Sequence, residues 1–393
     1  IARAAPFPRV SSTRSPNPNE RVLDNEDGPP GDGDGAAVGR SIPPIRSPVR
    51  LAPSLDLSFR SGVYWFAATD SSARTRNHSR DRPQMSKTPE VLYILDTYSL
   101  IYQVFHAIPN MTGPAGQPTN AVFGFCQILH ALLRNHAPEY VAVAFDRPEA
   151  TFREEIYAKY KANRPAPPAD LPLQTEYIHR VLEAMRIPSF EVPGYEADDV
   201  IATLTRRALE QGFDVVIVTA DKDLFQLVND RVKILRLEPS GETWFDREAV
   251  KQKMGVYPEQ MLDFLAMVGD ASDNIPGIAH VGMKTAANLL GEYGTLDAVL
   301  ENTARLKGKL REHVENGRES ALLSRRLATL DDNVPLEIDW EALRRREPDY
   351  ERLAALYREL EFRQFLQEVL PKAPQKKEPA EVHYRAVFDP AEL

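Results

Sequence analysis

Cysteine is almost missing from the 393-residue chain: Cys126 stands alone, which excludes a disulfide framework and any zinc site built on cysteines. A reducing, intracellular compartment suits such a chain. No apolar run comes near the roughly 20 residues that span a bilayer, and the stretch Val63–Ala68 is far too short. No apolar segment follows the N-terminus as a secretory signal would require. Positive charge is also in short supply. The net charge is −9, which argues against a broad basic surface that coats nucleic acid without preference. A DNA enzyme stays open, because a cluster of metal-binding carboxylates is itself a source of negative charge. What is present, 42% apolar and 27% charged residues, describes an ordinary globular protein. It is long enough for two or three domains and for a core that needs no covalent staples.

Charge and composition divide the chain. Residues 1–87 hold 13 Lys and Arg against 9 Asp and Glu, are rich in Pro, Ser, Arg and Gly, and contain "EDGPPGDGDGAAVG". Such a segment reads as a disordered extension. Its Arg and Ser suggest an organelle transit peptide, but the acidic run speaks against one. The chain begins with Ile1, as a fragment or an over-extended reading frame would, and Met85 immediately precedes the first structured segment; either the natural start lies there or the extension is a real tail. From Glu90 the texture changes. "VLYILD" (Val91–Asp96), "YVAVAFD" (Tyr140–Asp146) and "DVVIVTADKD" (Asp214–Asp223) are short β-branched runs, the form of buried parallel strands. Helical spacing fills the gaps, at Ala121–Leu133 and at Ala197–Leu209, where Gly212 follows as a C-cap. Strands alternating with helices predict an α/β domain with a parallel sheet over residues 88–268.

After about Asp270 only helical patterns remain, at Lys284–Leu290, Leu296–Glu301, Leu306–Val314, Ser320–Leu330 and Tyr350–Phe362. They predict a helical subdomain over residues 269–366. A Pro/Lys linker, "PKAPQKKEPAE" (Pro371–Glu381), then leads to "VHYRAVFDPAEL", so residues 367–393 read as a linker and the first strand of a further domain.

The candidate strands end in Asp96, Asp146 and the pair Asp221 and Asp223. In open α/β sheets, ligands bind outside the carboxyl ends of the strands. "GYEADD" adds Glu196, Asp198 and Asp199 at a helix start, and "GDASDNIPG" adds Asp270 and Asp273. Each piece alone reads as a helix cap, a solvated helix start or a surface turn. Acids converging on one edge repel one another unless cations neutralise them. Oxygen ligands without Cys or His favour Mg²⁺ or Mn²⁺ over zinc, and two such ions suit in-line phosphoryl displacement. Composition and spacing thus point to metal-dependent phosphate chemistry, hydrolysis above all.

At these residues the chain resembles the 5′-nuclease (flap endonuclease-like) superfamily, specifically the N-terminal 5′–3′ exonuclease domain of bacterial DNA polymerases I. The resemblance runs from about Val91 to Phe365 and rests on "LDTYSL", "AFDRPEATFREEIYAKYKANR", "GYEADDVIATL", "TADKDLFQLV" and "GDASDNIPGIAHVGMKTAANLL". Five ordered blocks with sensible spacing are highly specific. The resemblance implies a PIN-like α/β nuclease domain with a helical arch, followed by a helix–two-turn–helix subdomain. It implies metal roles for Asp96, Asp146, Glu196, Asp198, Asp199, Asp221, Asp223, Asp270 and Asp273, with the last two and Asp221 and Asp223 forming a second site. It places Tyr160, Lys161 and Arg164 on the arch, with Lys161 facing the scissile phosphate, where a cation offsets developing charge. Arg153 is a further DNA-binding candidate of that kind; read without the motif, these cations form a solvated helix face. The Pro-rich run after Arg164 ends any helix there and suits a mobile arch that orders on DNA.

"IPGIAHVGMKTA" matches the family's helix–two-turn–helix, in which Gly277 and Gly282 allow tight turns and Lys284 and Thr285 open a helix toward phosphate. In the family this element holds a monovalent cation, which implies K⁺ here. Thr97 stands where relatives commonly have Gly, and His280 where a small residue or Pro is usual, so local loop geometry is expected to differ. The resemblance implies DNA with 5′ ends or flaps and RNA–DNA primers as partners. It also implies a monomer in the nucleoid-associated cytoplasm and fusion to 3′–5′ exonuclease-like and polymerase domains. Two other readings stand beside it: a non-catalytic DNA-binding module on the same fold, and a small-molecule phosphatase using strand-end aspartates.

Overall fold

The structure, a computed structural model, describes residues 89–108, 111–238 and 241–373, all within the compact unit Arg82–Leu393. The extension read over residues 1–87 and the strand read after Glu381 lie outside the described residues. The elements run β1 (Val91–Asp96), α1 (Thr97–Ala107), α2 (Asn120–Asn135), β2 (Tyr140–Ala144), α3 (Phe152–Ile156), α4 (Leu171–Met185), β3 (Ser189–Phe190), α5 (Ala197–Glu210), β4 (Asp214–Val218), β5 (Val232–Glu238) and β6 (Gly241–Phe245). Helices follow: α6 (Arg247–Met254), α7 (Met261–Val268), α8 (Met283–Tyr293), α9 (Leu296–Glu301), α10 (Gly308–Asn316), α11 (Arg318–Ala328), α12 (Tyr350–Glu359) and α13 (Arg363–Val369). Among the described residues no helix is long and apolar enough to cross a membrane.

The sheet order is β3-β2-β1-β4-β5-β6, parallel throughout except for β6, which pairs antiparallel with β5. The chain leaves β1 toward β2 and β3, then returns to the other side of β1 as β4. That reversal between β1 and β4 is a topological switch point, where loops part and leave a crevice. Register keeps the strand ends level: Asp96 lies opposite Ala144, and Leu95 opposite Val218.

Both faces of the sheet are covered, which is why β1, β2 and β4 are continuously apolar. Successive side chains point to opposite faces. Leu92, Ile94, Ala142 and Ile217 face α5 and the helical region. Tyr93, Leu95, Val143 and Val218 face α2, α4, α12 and α13. Each fully buried Leu or Ile here stabilises the fold by about 1.5–3 kcal/mol.

In the arch segment, α3 stops at Ile156, and residues 157–170 hold turns and irregular backbone but no helix. Pro165, Pro167 and Pro168 cannot donate to a helical ladder, and Lys161 has φ 53°, outside helical backbone. The chain becomes helical again only at α4, with Pro172 in its first turn. Helix α7, read into the α/β domain, packs on α8 and α11. Helices α12 and α13, read into the helical subdomain, return to the sheet face lined by α2 and α4.

Candidate metal centre

Strand ends and helix starts deliver the acids to one edge of the sheet. Asp96 closes β1 and caps α1; it is 4% exposed and accepts from Ser99 N–H at 3.3 Å and Thr219 Oγ1 at 2.7 Å. Asp146 follows β2 and accepts from Ala197 N–H at 2.8 Å, which ties it to the start of α5. Asp221 and Asp223 follow β4, and Asp221 accepts from Asp223 N–H at 2.8 Å. The loop after α7 folds back on itself, with Asp270 and Ile275 exchanging backbone hydrogen bonds of 2.9 and 2.8 Å. It presents Asp270 and Asp273. Gly269 and Gly277 lie back to back at its base with φ 73° and 61°, and a Cβ on Gly277 would meet Gly269 N at 2.5 Å.

Burial and mutual repulsion leave their mark on these groups. Burial first, then Asp221 and Asp146, push the Asp96 carboxyl up to about 7 against the pull of Thr219. Burial and Asp221 raise Asp223 to about 7 despite Lys222. Asp198 is held well above the usual carboxylate range by burial and by Asp221, Asp96 and Asp146. Burial also raises Asp146. Asp270 behaves oppositely. Burial works against it, but hydrogen bonds from Lys222 and Ser272 hold it down at about 2.

Protein cations stand among the acids. Lys161 Nζ reaches Glu196 Oε1 at 2.6 Å and lies 4.0 Å from Asp273. Arg164 pairs with Asp273. The Tyr160 hydroxyl, buried, donates to Glu196 Oε2 at 3.1 Å and lies 3.4 Å from Asp273 Oδ2. Backbone contacts stitch the two loops together, from Lys161 N–H to Asp273 O at 2.9 Å and from Asn274 Nδ2 to Lys159 O at 2.7 Å. Lys222, flanked by Asp221 and Asp223 in sequence, bridges Asp270 and Asp223. Among the described residues, no three His, Cys, Asp or Glu side chains close around a common point as a bound metal requires. The donor set itself fits a hard divalent ion: it is all oxygen, and several members are driven toward protonation by burial and by one another, a tendency that such an ion relieves.

Asp199 does not join them. It is fully buried. Arg153 grips it through Nη1–Oδ2 and Nη2–Oδ1, both 2.7 Å, while Asp331 N–H donates to Oδ1 at 2.8 Å and Glu196 N–H to Oδ2 at 3.1 Å. These four donors occupy both of its oxygens, so in this structure Asp199 offers no lone pair to the site. Arg153 is turned inward in the same way. It is 1% exposed, and its remaining donors go to Leu327 O at 2.8 Å and Thr329 O at 3.0 Å.

The helix–two-turn–helix runs from α7 through Gly277 to α8. Ser324 and Ser320 of α11 hold Gly277, accepting from its N–H at 2.9 Å and donating to its carbonyl at 2.7 Å. Gly282 caps α8 at φ −90° with open space where a Cβ would stand, and the turn before it is closed by Val281 N–H on Ile278 O at 3.0 Å. Lys284 is exposed and Thr285 half-buried in the first turn of α8. Lys284 lines a cavity of about 650 Å³ with Lys251 and Lys253. His280 has φ 65° and packs on His313, ring centroids 4.7 Å apart. Sequence reasoning passed over Thr219, Ser99, Ser272 and Lys222. Only Lys222 left a signal, by its place between two aspartates.

The switch point of this mostly parallel sheet is ringed by acids from five segments. Comparison with known proteins gives its family. Residues 91–255 match the model of the "5'-3' exonuclease, N-terminal resolvase-like domain", and residues 256–351 that of the "5'-3' exonuclease, C-terminal SAM fold". A 5'-3' exonuclease of Aquifex aeolicus is 41% identical over 280 residues, covering 71% of this chain and 95% of its own. The thermostable DNA polymerase I of Thermus aquaticus is 41% identical over 279 residues, 70% of this chain but 32% of its own. This chain thus spans about a third of that polymerase's length. The T5 5'-exonuclease with bound zinc has the same fold, with TM-score 0.51 and 20% identity over 72% of this chain and 99% of its own. So does the catalytic core of Rad2 in complex with DNA substrate, with TM-score 0.51 and 17% identity over 72% of this chain and 92% of its own. The chain belongs to the 5′–3′ exonuclease family and is a nuclease.

Two outcomes follow from this geometry. Arg153→Ala strands a buried carboxylate and should cost about 3–5 kcal/mol of stability; denaturant unfolding measures it, and a loss below about 1 kcal/mol would contradict the clamp. The second concerns pH. Asp96 and Asp223 keep their protons to about 7 in the fold, against an ordinary value of 3.8. Their contribution is therefore present at low pH and lost as pH rises through 7. The metal-free protein should melt at lower temperature at pH 8 than at pH 5, and Mg²⁺ should restore the difference at pH 8. Asp270, held at about 2, loses its contribution only below about pH 4, outside this window. A flat profile would contradict the reading.

Proposed function

We propose that the chain is a structure-specific 5′–3′ exonuclease and flap endonuclease, cutting DNA and primer RNA with Mg²⁺ or Mn²⁺. The observation that carries it is the meeting of Asp96, Asp146, Glu196, Asp198 and Asp221, with Asp223, Asp270 and Asp273 beside them, at the switch point of the sheet. Asp96, Asp146, Glu196, Asp198 and Asp221 would hold one ion, and Asp221, Asp223, Asp270 and Asp273 a second. Bound there, the ions would activate water and stabilise the attacking and leaving oxygens of an in-line displacement.

The chain's own groups do the rest. Lys161 and Arg164, now on Glu196 and Asp273, would turn to the scissile phosphate and offset its charge in the transition state. Tyr160 would keep Glu196 oriented through its hydroxyl. Thr219 and the Ser99 N–H fix Asp96. The glycine hairpin at Gly277 and Gly282, with Lys284 and Thr285, would grip a backbone phosphate and hold K⁺. Such contacts position DNA without reading its sequence. The resemblance and the polymerase relatives support a monomeric nuclease acting in the cytoplasm, at the nucleoid, as the N-terminal part of a DNA polymerase I in replication and repair.

The test incubates the purified chain with a labelled double-flap DNA, with Mg²⁺ or with EDTA, beside Asp198→Asn and Lys161→Ala. Cleavage near the flap junction is expected, abolished by EDTA and by Asp198→Asn. It should slow by roughly 10²–10³-fold in Lys161→Ala, as when one transition-state donor is removed. Tight flap binding without cleavage under any divalent ion would leave a DNA-binding module. Hydrolysis of a simple phosphomonoester with the flap ignored would leave a phosphatase.

A further inference from the structure

The turn that carries Asp221 and Asp223 also carries an ammonium group. Lys222 Nζ lies 2.6 Å from Asp270 Oδ2 and 3.1 Å from Asp223 Oδ1. It thus joins two carboxylates from separate loops, one after β4 and one after α7. Its side chain is 44% exposed, so the ammonium has an open way to solvent. The rest of the edge differs. Lys161 and Arg164 serve Glu196 and Asp273, and Arg153 serves Asp199.

A hard divalent ion needs carboxylate oxygens at about 2.0–2.2 Å. It cannot take Asp223 and Asp270 together while an ammonium stands within hydrogen-bond reach of both, since space and charge each forbid it. We propose that Lys222 is the resident counter-ion of the Asp223–Asp270 pair and competes with the divalent ion for it, so that this one side chain sets the affinity of the second metal position. The inference rests on the reading of these carboxylates as metal ligands. It gives the lysine of "DKD" a task. It neutralises the pair when the ion is absent and withdraws to solvent when the ion arrives, so the second position fills at higher ion concentration than the first.

Mn²⁺ titrations of the full chain without DNA, followed by electron paramagnetic resonance and calorimetry, test this on the wild type, Lys222→Met and Lys222→Arg. The wild type should bind Mn²⁺ in a tight and a weak class. In Lys222→Met the weak class should tighten by about tenfold or more, as expected when a hydrogen-bonded charge no longer has to be displaced, with the tight class unchanged. Lys222→Arg, which keeps the charge, should retain a weak class like the wild type's. A weak class unchanged or weakened in Lys222→Met, beside an intact tight class, would overturn the competition alone. No Mn²⁺ bound by the wild type would overturn the metal reading as well.

Discussion

Like charges do not gather at the edge of a protein sheet unless something holds them there. Two carboxylates 4 Å apart repel by roughly 4 kcal/mol at the effective dielectric of a protein surface, and this edge gathers several. The fold answers in three ways. Backbone N–H groups are aimed at individual acids, from Ala197 to Asp146, Ser99 to Asp96 and Ser272 to Asp270. Hydroxyls of Thr219 and Tyr160 donate to Asp96 and Glu196. Lysines and an arginine pair with the rest. Burial first, and then the repulsion that is left, show in the groups that resist ionisation, Asp96, Asp198 and Asp223. A site built this way is poised for cations.

The acids need a rigid frame, and the frame contains an ion pair of its own. Arg153 and Asp199 are sealed from water and satisfied on every side. They join the foot of the turn-rich segment, the helix bearing Glu196 and Asp198, and the residues after α11. Removing either partner would leave a buried charge alone, which costs far more than the intact pair contributes. The helical region is locked to the same frame through Gly277 and the serines of α11.

Much of this was legible in the sequence. Strands β1, β2 and β4 announce themselves because both faces of the sheet are buried, leaving unbroken apolar runs. The acids that end them fall at the ligand edge by topology alone. Strand β3, two residues long, and the exposed edge strand β6 leave no such run. Asp198 and Asp199 could not be told apart by type, yet one helical step of 100° sends the first to the site and the second to Arg153. The clue was local: Asp199 sits three residues after the N-cap Glu196 and accepts from its N–H, as an acid does in a capping box. Periodicity showed a helix at Tyr350–Phe362 but not that α12 would face α4, because a helical pattern has a direction and no address.

The most direct measurement is anomalous diffraction from crystals of this chain grown with Mn²⁺. The account predicts density among Asp96, Asp146, Glu196, Asp198 and Asp221, and a second peak against Asp223, Asp270 and Asp273, with Asp199 still gripped by Arg153. A manganese ion on Asp199 with Arg153 displaced, or no ion along the carboxyl edge of the sheet, would contradict it.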